Sequence, residues 1–461
     1  MKVLLTKPYN LSDHIQPSLG LGYLATSVRD QCDVSILDCI KEGFKVDKLR
    51  GYLIKNKPDI LGLQCYTFDL KFINDALEAA KGVDKGILTV IGGPHPSAMP
   101  RETLEAFAGK LDFLFTGESE HGFAGLVRSL KKGEKDFHNV PGLAWREKGG
   151  IIINPPARED DLDKLGMPAW DLIHPEKYPE SQHGAFFKKF PIAPIMITRG
   201  CPYPCTFCAG NIVSGRKVRK RSIDHVLKEI VHLKKDFGIR EFHVIDDNFT
   251  MDKNYAKEFL KRLKALDLDM SWAVPNGVRM DTLDEELLGL MKDTGLYLIS
   301  LGIESGSDRV LRLMKKGTTV SKIRKHIQMI RNCGIDIAGF FILGFPGETA
   351  SSIKRTISFA RSLDLVRANF FTYLPFPGSE SYKDLEAAGE LDGVNWDRFY
   401  FMNAAYTPKG MDKKALKKFH RAAFSAFYLR PRIISYQIRS IQSFRHLLFL
   451  IKRFFHWIVM G

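Results

Sequence analysis

Residues 194–208 read PIMITRGCPYPCTFC. The first part of this stretch has the length and apolar composition of a buried β-strand, and three cysteines follow the strand directly. Cys201, Cys205 and Cys208 form the pattern C-x3-C-x2-C. Three thiolates on one short loop can bind three irons of a 4Fe–4S cluster. The stretch therefore predicts a strand that presents an iron–sulfur centre at its carboxyl end.

The remaining cysteines are scattered, so the loop has no nearby fourth thiolate. They are Cys32, Cys39, Cys65 and Cys333. One iron is therefore expected to stay open for a substrate or cofactor. The alternative is a zinc site completed by a histidine, although zinc sites favour cysteine pairs with a second ligand pair downstream, and none is evident. Seven cysteines in 461 residues are too few for a disulfide scaffold and indicate a reducing compartment.

Strands and helices alternate from the cysteine loop onward. The predicted strands are 194–199, 240–246, 271–275, 297–303, 337–343 and 368–373. Six such units are fewer than the eight of a complete TIM barrel, so residues 191–385 are predicted to form a partial (β/α)6 barrel. Chemistry in barrels lies at the carboxyl ends of the strands. The polar residues at those ends include Asp246, Asp247, Asn248, Asn276, Arg279 and Glu304.

The first 140 residues show an earlier alternation of the same kind. Apolar runs at 2–6, 34–38, 59–66, 86–93 and 112–118 are separated by stretches with helical spacing. This pattern predicts an α/β domain with a doubly wound, Rossmann-like parallel sheet over 1–140. No G-x-G-x-x-G follows the first strand, which argues against a dinucleotide site. Residues 141–190 lose the repeat and, being rich in proline, are predicted to be a structured linker.

Charge and composition restrict the function further. A content of 44% hydrophobic and 26% charged residues is ordinary for a globular protein and excludes disorder, collagen-like repeats and coiled coil. The net charge is +15, but residues 409–461 hold twelve Lys or Arg against one acid, which is +11. A basic tail on a nearly neutral body does not predict a nucleic-acid-binding protein, whose basic surface would be spread over the domain.

The carboxyl-terminal region 386–461 is predicted to be helical and basic. No segment reaches the roughly 18–20 apolar residues of a spanning helix, and no signal peptide is evident. Residues 424–460 interleave arginines with Phe, Leu, Ile and Trp, a composition typical of helices that lie on anionic bilayers. We therefore expect a cytoplasmic protein with peripheral contact at the inner face of the membrane. The alternative is a helix packed over the barrel with its cations in solvent.

At the cysteine loop the sequence resembles the radical S-adenosylmethionine (SAM) superfamily. The resemblance implies that SAM chelates the open iron, and that reduction of the cluster cleaves SAM to a 5′-deoxyadenosyl radical. It also implies an electron donor such as a flavodoxin or ferredoxin. Phe207 occupies the family's aromatic position and is predicted to pack on the adenine; the alternative is ordinary loop packing.

The same resemblance assigns residues at the later strand ends to SAM. Glu304 is expected to accept hydrogen bonds from the amino or ribose groups; the alternative is an acid favoured near a helix start. Gly344, before the run 346–349, resembles the adenine-side glycine motif. Residues 246–248 stand where the family has its second-strand motif, but they begin with Asp-Asp where the family has Gly-Gly-Glu. Asp246 and Asn248 are assigned to the same cofactor.

Residues 1–140 resemble the cobalamin-binding domain of one large radical SAM subclass, which includes cobalamin-dependent methyltransferases and anaerobic magnesium-protoporphyrin IX monomethyl ester cyclase. The residues that the resemblance assigns to cobalamin are Gly20, Gly92, Gly93, His95, Gly117 and Glu118. No D-x-H-x-x-G motif is present, and Asp13-His14 lacks its spacing, so the lower cobalt ligand is not expected to be histidine. His95 is expected to line the corrin pocket. The alternative is a sheet that kept the fold and lost the cofactor.

Together the resemblances imply a methyl transfer. The radical would remove a hydrogen atom from an unactivated carbon of a hydrophobic or membrane-associated small molecule, and methylcobalamin would deliver the methyl group. One alternative is an oxidative cyclase or other non-methylating radical enzyme acting on a tetrapyrrole-like substrate. A second is a non-catalytic iron–sulfur or cobalamin carrier, which would need neither an open iron nor a polar barrel face.

Overall fold

The computed structural model describes residues 1–10, 15–180, 187–392, 394, 396, 399–401, 403–444, 446–448 and 450–451. The chain forms two compact units, one of Met1–Pro179 with Ala209–His225 and one of Glu180–Cys208 with Val226–Gly461. This division differs from the four ranges expected from the sequence, which stay predictions. Asp13-His14 and residues 452–461 of the basic tail lie outside the described residues.

Fifteen strands are described. They are β1 Lys2–Lys7, β2 Asp33–Asp38, β3 Ile60–Gln64, β4 Leu88–Gly92, β5 Phe113–Phe115, β6 Leu143–Glu147, β7 Gly150–Ile153, β8 Ile192–Ile195, β9 Thr198–Arg199, β10 Arg219–Lys220, β11 Glu241–Val244, β12 Ser271–Val278, β13 Leu296–Glu304, β14 Asp336–Leu343 and β15 Arg367–Thr372.

Eighteen α-helices are described. They are α1 Leu19–Val28, α2 Cys39–Glu42, α3 Val46–Asn56, α4 Leu70–Val83, α5 Pro94–Ala98, α6 Pro100–Ala106, α7 Glu120–Lys131, α8 Trp170–Ile173, α9 Asn211–Ser214, α10 Ile223–Phe237, α11 Lys253–Ala265, α12 Glu285–Asp293, α13 Asp308–Leu313, α14 Val320–Asn332, α15 Ala350–Ser362, α16 Glu380–Ala387, α17 Lys413–Tyr428 and α18 Pro431–Arg439.

The first unit is built on one seven-stranded sheet, in the order β2-β1-β3-β4-β5-β6-β7. The first five strands pair in parallel. Helices α1 and α7 contribute to the core on one face, and α3, α4 and α6 to the core on the other. The strand order reverses between β1 and β3, and doubly wound sheets bind ligands at that point, beyond the carboxyl ends. The predicted parallel-sheet domain is confirmed.

The sheet is larger than the sequence analysis predicts. Residues 143–153, assigned there to a linker, form β6 and β7, which extend the sheet in antiparallel fashion from β5. A hairpin needs only a short turn between its strands, so it does not show the long strand–helix spacing from which the other strands were identified. The buried Trp145 on β6 adds to the core beside α7.

The second unit contains a six-stranded sheet in the order β15-β14-β13-β12-β11-β8. All neighbouring strands are parallel. In the described part of the chain β8 and β15 do not pair with one another, so the barrel is open as predicted. Because all six strands run in the same direction, the segments that follow them lie at one edge of the sheet.

Two carboxyl-terminal helices pack on this barrel, which confirms the helical extension. His420 of α17 lies with Nε2 2.8 Å from the carbonyl oxygen of Phe370 on β15. On α18, Ile433 is buried and the hydroxyl of Tyr436 donates to Asp336 over 2.7 Å. Among the described helices, none combines the length and apolar composition needed to cross a membrane.

Two glycines of α7 give a test of packing in the first unit. A Cβ added at Gly122 would overlap the backbone carbonyl oxygen of Pro141, whereas one at Gly125 would make ordinary contacts with Val140. We expect Gly122→Ala to lower the free energy of unfolding by about 1–3 kcal/mol. Gly125→Ala should be neutral or stabilising by up to about 1 kcal/mol through helix propensity. Equal urea unfolding curves for the two variants would contradict this packing.

Candidate functional site

The cysteine loop is held at its start and its centre by hydrogen bonds. The amide of Gly200, which has a φ of +98°, donates to Asp247 Oδ2 over 3.2 Å. The amide of Thr206 donates to the carbonyl oxygen of Met314 over 3.1 Å, and its own carbonyl oxygen accepts from Ser381 Oγ at 2.9 Å. These contacts fix the backbone between the three cysteines.

The three cysteines have the donor chemistry of an iron–sulfur site. Cys201 and Cys205 are half-buried, Cys208 is exposed, and none of the three is joined in a disulfide. In the described residues no three His, Cys, Asp or Glu side chains are gathered into a ready-made metal site. Three cysteine thiols on one anchored loop nevertheless fit the three-cysteine ligand set of a 4Fe–4S cluster.

Asp246 fixes the segment that leads into the loop. Its carboxylate accepts hydrogen bonds from the amides of Ile197 and Thr198, at 2.7 and 2.6 Å, and from the Thr198 hydroxyl at 2.8 Å. Burial raises the pKa of this carboxyl group to about 7. Asn248 is also buried, and its Oδ1 accepts from the Thr250 hydroxyl at 3.1 Å. The protein thus occupies polar atoms of both residues, and their contact with SAM stays a prediction.

Two cations lie close to Cys205. Arg279 Nη1 is 4.0 Å from Cys205 Sγ. Lys316 Nζ is 2.8 Å from Glu304 Oε1 and 5.7 Å from the centre of the Phe207 ring. Burial lowers the pKa of Lys316, but the Glu304 carboxylate and Cys205 outweigh burial and raise it overall. The structure therefore brings Phe207 and Glu304 together around a lysine that sequence analysis missed.

Lys316 was not predicted as a site residue because its local sequence is ordinary. It follows α13 in a Lys-Lys-Gly run, and basic residues and glycine are common where helices end. The feature of the sequence that could have pointed to Lys316 is its partner Glu304, since a carboxylate buried at the end of a barrel strand requires a compensating positive charge.

The backbone at Glu304 is unusual. Its φ is +61°, a conformation that costs a residue other than glycine about 1–3 kcal/mol and that clusters at functional sites. A Cβ at Gly302 would overlap Glu304 Oε1 and come within 2.7 Å of Lys316 Nζ. A glycine is therefore needed at position 302 to leave room for the ion pair of Glu304 with Lys316. The strained backbone lies at Glu304, which was predicted from the sequence to contact SAM.

Gly344 is explained by packing within the second unit. Its φ is +80°, and a Cβ there would come within 2.7 Å of the Leu416 side chain on α17. Its amide donates to Glu348 Oε2 over 2.7 Å. Burial raises the pKa of Glu348 to about 7. The predicted contact of Gly344 with SAM stays a prediction.

In the first unit, the loops after β3 and β4 are packed tightly together. Gly93 has a φ of +122°, and a Cβ there would come within 2.8 Å of the carbonyl oxygen of Cys65. The amide of His95 donates to that same oxygen, and its Nδ1 lies 3.1 Å from the hydroxyl of Thr67. Burial lowers the pKa of His95 to about 4, so the imidazole is neutral near pH 7. Gly92, the last residue of β4, precedes this turn.

The remaining glycines differ in their surroundings. The amide of Gly117, with a φ of +69°, donates to Ser97 Oγ over 2.9 Å and so joins the loop after β5 to α5. Gly20 is exposed in the first turn of α1, and a Cβ there would meet no atom within 4 Å. Ser18, which caps α1, donates to Gln64 Oε1 at the end of β3 over 2.5 Å. A glycine-rich edge with open space at the switch point fits a large planar cofactor.

A polar cluster after β3 was not predicted from the sequence. The buried carboxylate of Asp69 accepts from Asn10 Nδ2 at 2.8 Å and from the amide of Tyr66 at 3.2 Å. Burial raises the pKa of Asp69 to about 6. Tyr66 is 37% exposed and stacks on Phe68. The signal in the sequence was Tyr-Thr-Phe-Asp immediately after a buried strand at the switch point.

Glu118 has a protein partner. Its carboxylate forms a two-pronged ion pair with Arg219, and the two side chains are only 4% and 2% exposed. Arg219 also donates to the carbonyl oxygens of Glu159 and Ser214, at 2.7 and 2.9 Å. The pair holds the segment 209–225 to the loop after β5. The assignment of Glu118 to cobalamin stays a prediction.

Comparison with known proteins identifies two families in the chain. The model of the Radical SAM superfamily matches residues 195–360, and that of the B12 binding domain matches residues 11–127. A Pyrococcus horikoshii protein described as an uncharacterized methyltransferase is 31% identical, over 98% of this chain and 97% of its own. The cytidylyl-2-hydroxyethylphosphonate methyltransferase of Streptomyces wedmorensis is 30% identical, over 85% of this chain and 83% of its own.

One solved structure shows the shared fold. The radical SAM methyltransferase TsrM from Kitasatospora setae, with cobalamin and a 4Fe–4S cluster bound, matches with a TM-score of 0.69 at 19% identity. The match covers 92% of this chain and 81% of the other.

The buried pair in the first unit gives a direct test. Glu118→Gln leaves Arg219 buried without its counter-charge, and we expect a loss of about 3–5 kcal/mol in the free energy of unfolding. Trypsin should then cleave faster after Arg216 and Lys217. The matched control is Asp160→Asn, which removes an exposed pair with Lys217 and should leave stability unchanged. A Glu118→Gln variant as stable and as resistant to trypsin as the control would contradict the role given to this pair.

Proposed function

Because the chain belongs to the cobalamin-binding enzymes of the radical SAM superfamily, we propose that it transfers a methyl group to an unactivated carbon of a hydrophobic small molecule. Its cofactors are a 4Fe–4S cluster, SAM and cobalamin. When bound, the cluster and SAM supply a 5′-deoxyadenosyl radical, and cobalamin supplies the methyl group. The electron comes from a low-potential donor such as a flavodoxin or ferredoxin.

One observation carries the proposal: at the carboxyl ends of the barrel strands, Phe207 and Glu304 lie beside Lys316, and Arg279 lies beside Cys205. Cys201, Cys205 and Cys208 hold the cluster. Glu304, oriented by Lys316, accepts hydrogen bonds from SAM, and Phe207 offers an aromatic face to the adenine. Such preorganised contacts fix the reacting atoms and keep water away from a reactive intermediate.

The first unit holds cobalamin through backbone and shape. Gly92, Gly93 and Gly117 bring main chain to the ligand without side chains, and the open space at Gly20 receives the ring. His95 is neutral, with Nδ1 beside the Thr67 hydroxyl, and acts by holding the turn 93–98 in place. In this proposal His95 lines the pocket and does not bind cobalt.

A second candidate function is oxidative cyclisation of a tetrapyrrole-like substrate. It is favoured by a relative, the anaerobic magnesium-protoporphyrin IX monomethyl ester cyclase of Rubrivivax gelatinosus, which is 28% identical over 91% of this chain and 75% of its own. Methyl transfer consumes SAM to S-adenosylhomocysteine, and cyclisation does not. The carrier alternative is not retained, because relatives that match most of the chain, a methyltransferase and a cyclase, are named as enzymes.

The cysteine loop gives the first test. After anaerobic reconstitution, the wild-type protein should bind four irons per chain and form 5′-deoxyadenosine when reduced with SAM present. Cys201→Ala, Cys205→Ala and Cys208→Ala should each abolish that product and lose most of the iron. Cys333→Ala, at a half-buried cysteine on α14's C-terminal end, is the matched control and should keep both. Product formation by a triad variant would overturn the assignment, and S-adenosylhomocysteine in the wild-type assay separates methylation from cyclisation.

We also propose that the carboxyl-terminal helices contact an anionic bilayer. Of thirteen large hydrophobic side chains that are exposed in the described residues, six lie in the 23 residues 429–451. They are Leu429, Ile434, Ile438, Phe444, Leu448 and Ile451. Residues 413–461 carry eleven Lys or Arg and no acid. Apolar side chains beside unopposed positive charge are the composition of an interfacial helix.

On α18 the two faces are distinct. Ile433 and Tyr436 contact the barrel, whereas Ile434 and Ile438 are 43% and 63% exposed and lie one turn apart. We expect the protein to float with phosphatidylglycerol-containing vesicles and not with phosphatidylcholine alone. Ile434→Glu with Ile438→Glu should abolish flotation, because burying two carboxylates in the interface is unfavourable.

The control for flotation is Ile54→Glu with Leu266→Glu, two exposed apolar residues of which one lies on α3 and the other directly follows α11. This control should float like the wild type. Unchanged flotation of the α18 variant would reject the membrane contact and leave the enzymatic proposal intact.

A further inference from the structure

Tyr203 lies inside the cysteine motif, and Arg279 follows the third barrel strand; the function proposed above gives a role to neither. The guanidinium carbon of Arg279 stands 3.6 Å from the centre of the Tyr203 ring. Stacking of a guanidinium on an aromatic face is favourable and restricts the orientation of the arginine. The aromatic ring that holds Arg279 thus belongs to Tyr203, which lies between Cys201 and Cys205 in the C-x3-C motif.

A carboxylate holds the other edge of the same guanidinium. Arg279 Nε donates to Asp281 Oδ1 over 3.0 Å, and Nη2 donates to Oδ2 over 3.2 Å. The hydroxyl of Tyr203 lies 3.4 Å from Asp281 Oδ2. With Nε and Nη2 used in this way, Nη1 is the nitrogen directed to Cys205 Sγ, at 4.0 Å.

Arg279 is well placed to act on the sulfur electrostatically. The Arg279 side chain is only 11% exposed, so water screens its charge less than at the surface. Arginine stays protonated at any working pH, so the charge is permanent. Hydrogen bonds and positive charge near cysteine ligands stabilise the reduced, more negative form of an iron–sulfur cluster and raise its reduction potential.

We propose that Arg279 sets the reduction potential of the cluster through Cys205, and that Tyr203 and Asp281 are positioning residues that hold its guanidinium there. The proposal rests on the proposed function, since it requires the cluster. In the step concerned, the cluster accepts one electron from the low-potential donor, and no bond of the protein forms or breaks. Arg279 lessens the cost of that added negative charge.

The test is a redox titration of reconstituted protein, followed by electron paramagnetic resonance of the reduced cluster. We expect Arg279→Gln to shift the midpoint potential to more negative values and Arg279→Lys to shift it less. Tyr203→Leu removes the stacking face and should shift it in the same direction. Tyr203→Phe keeps the face and should stay close to the wild type.

The matched control is Arg324→Gln, which removes an arginine stacked on Phe359 at 5.2 Å on the outer helices. It should leave the potential unchanged. A potential equal to the wild type in iron-replete Arg279→Gln would overturn the proposal. If Arg279→Gln binds no iron, Tyr203→Leu decides: a negative shift supports the proposal and an unchanged potential overturns it. If the wild-type protein itself binds no cluster, the proposed function fails instead.

Discussion

In a parallel sheet every strand ends at the same edge, and this constraint assembles the candidate site of the second unit. The cysteine loop comes after β8 in the chain, Arg279 follows β12, and Glu304 ends β13, and these three strands belong to the parallel sheet. At the edge where they end, Arg279 contacts Cys205 and Lys316 contacts Glu304. The contact with Cys205 depends on a fixed start for the cysteine loop. Asp246 provides it, because three hydrogen bonds from Ile197 and Thr198 end on its buried carboxylate.

Much of the fold could be predicted because a buried strand leaves an apolar run in the sequence, and eleven such runs were recognisable. The hairpin β6–β7 was missed, since its short turn lacks the strand–helix spacing. The cysteine loop was predictable because its ligands are adjacent in sequence. The contact of Lys316 with Phe207 and that of Arg279 with Cys205 were not predictable, since they join residues 109 and 74 positions apart and depend on side-chain directions.

Several glycines illustrate the same limit at single positions. The sequence marks Gly93 and Gly344 as cofactor-binding candidates by resemblance, and both have positive φ. It does not indicate which atom requires the missing side chain. For Gly93 that atom is the carbonyl oxygen of Cys65, and for Gly344 it belongs to Leu416 of a distant helix. A motif glycine can thus serve packing, ligand approach or both, and only the neighbours distinguish these uses.

The assignment of residues 209–225 to the first unit has a consequence for how this protein could evolve. The chain passes from one unit to the other after residues 179, 208 and 225, not at a single junction. A recombination event within the proline-rich residues 141–190 alone would separate Glu118 from Arg219. Each of these buried charges would then lose its partner. The coding sequences of the two units therefore alternate along the gene. Exchange of either unit for a homologous one requires that residues 209–225 be inherited together with the amino-terminal part of the first unit.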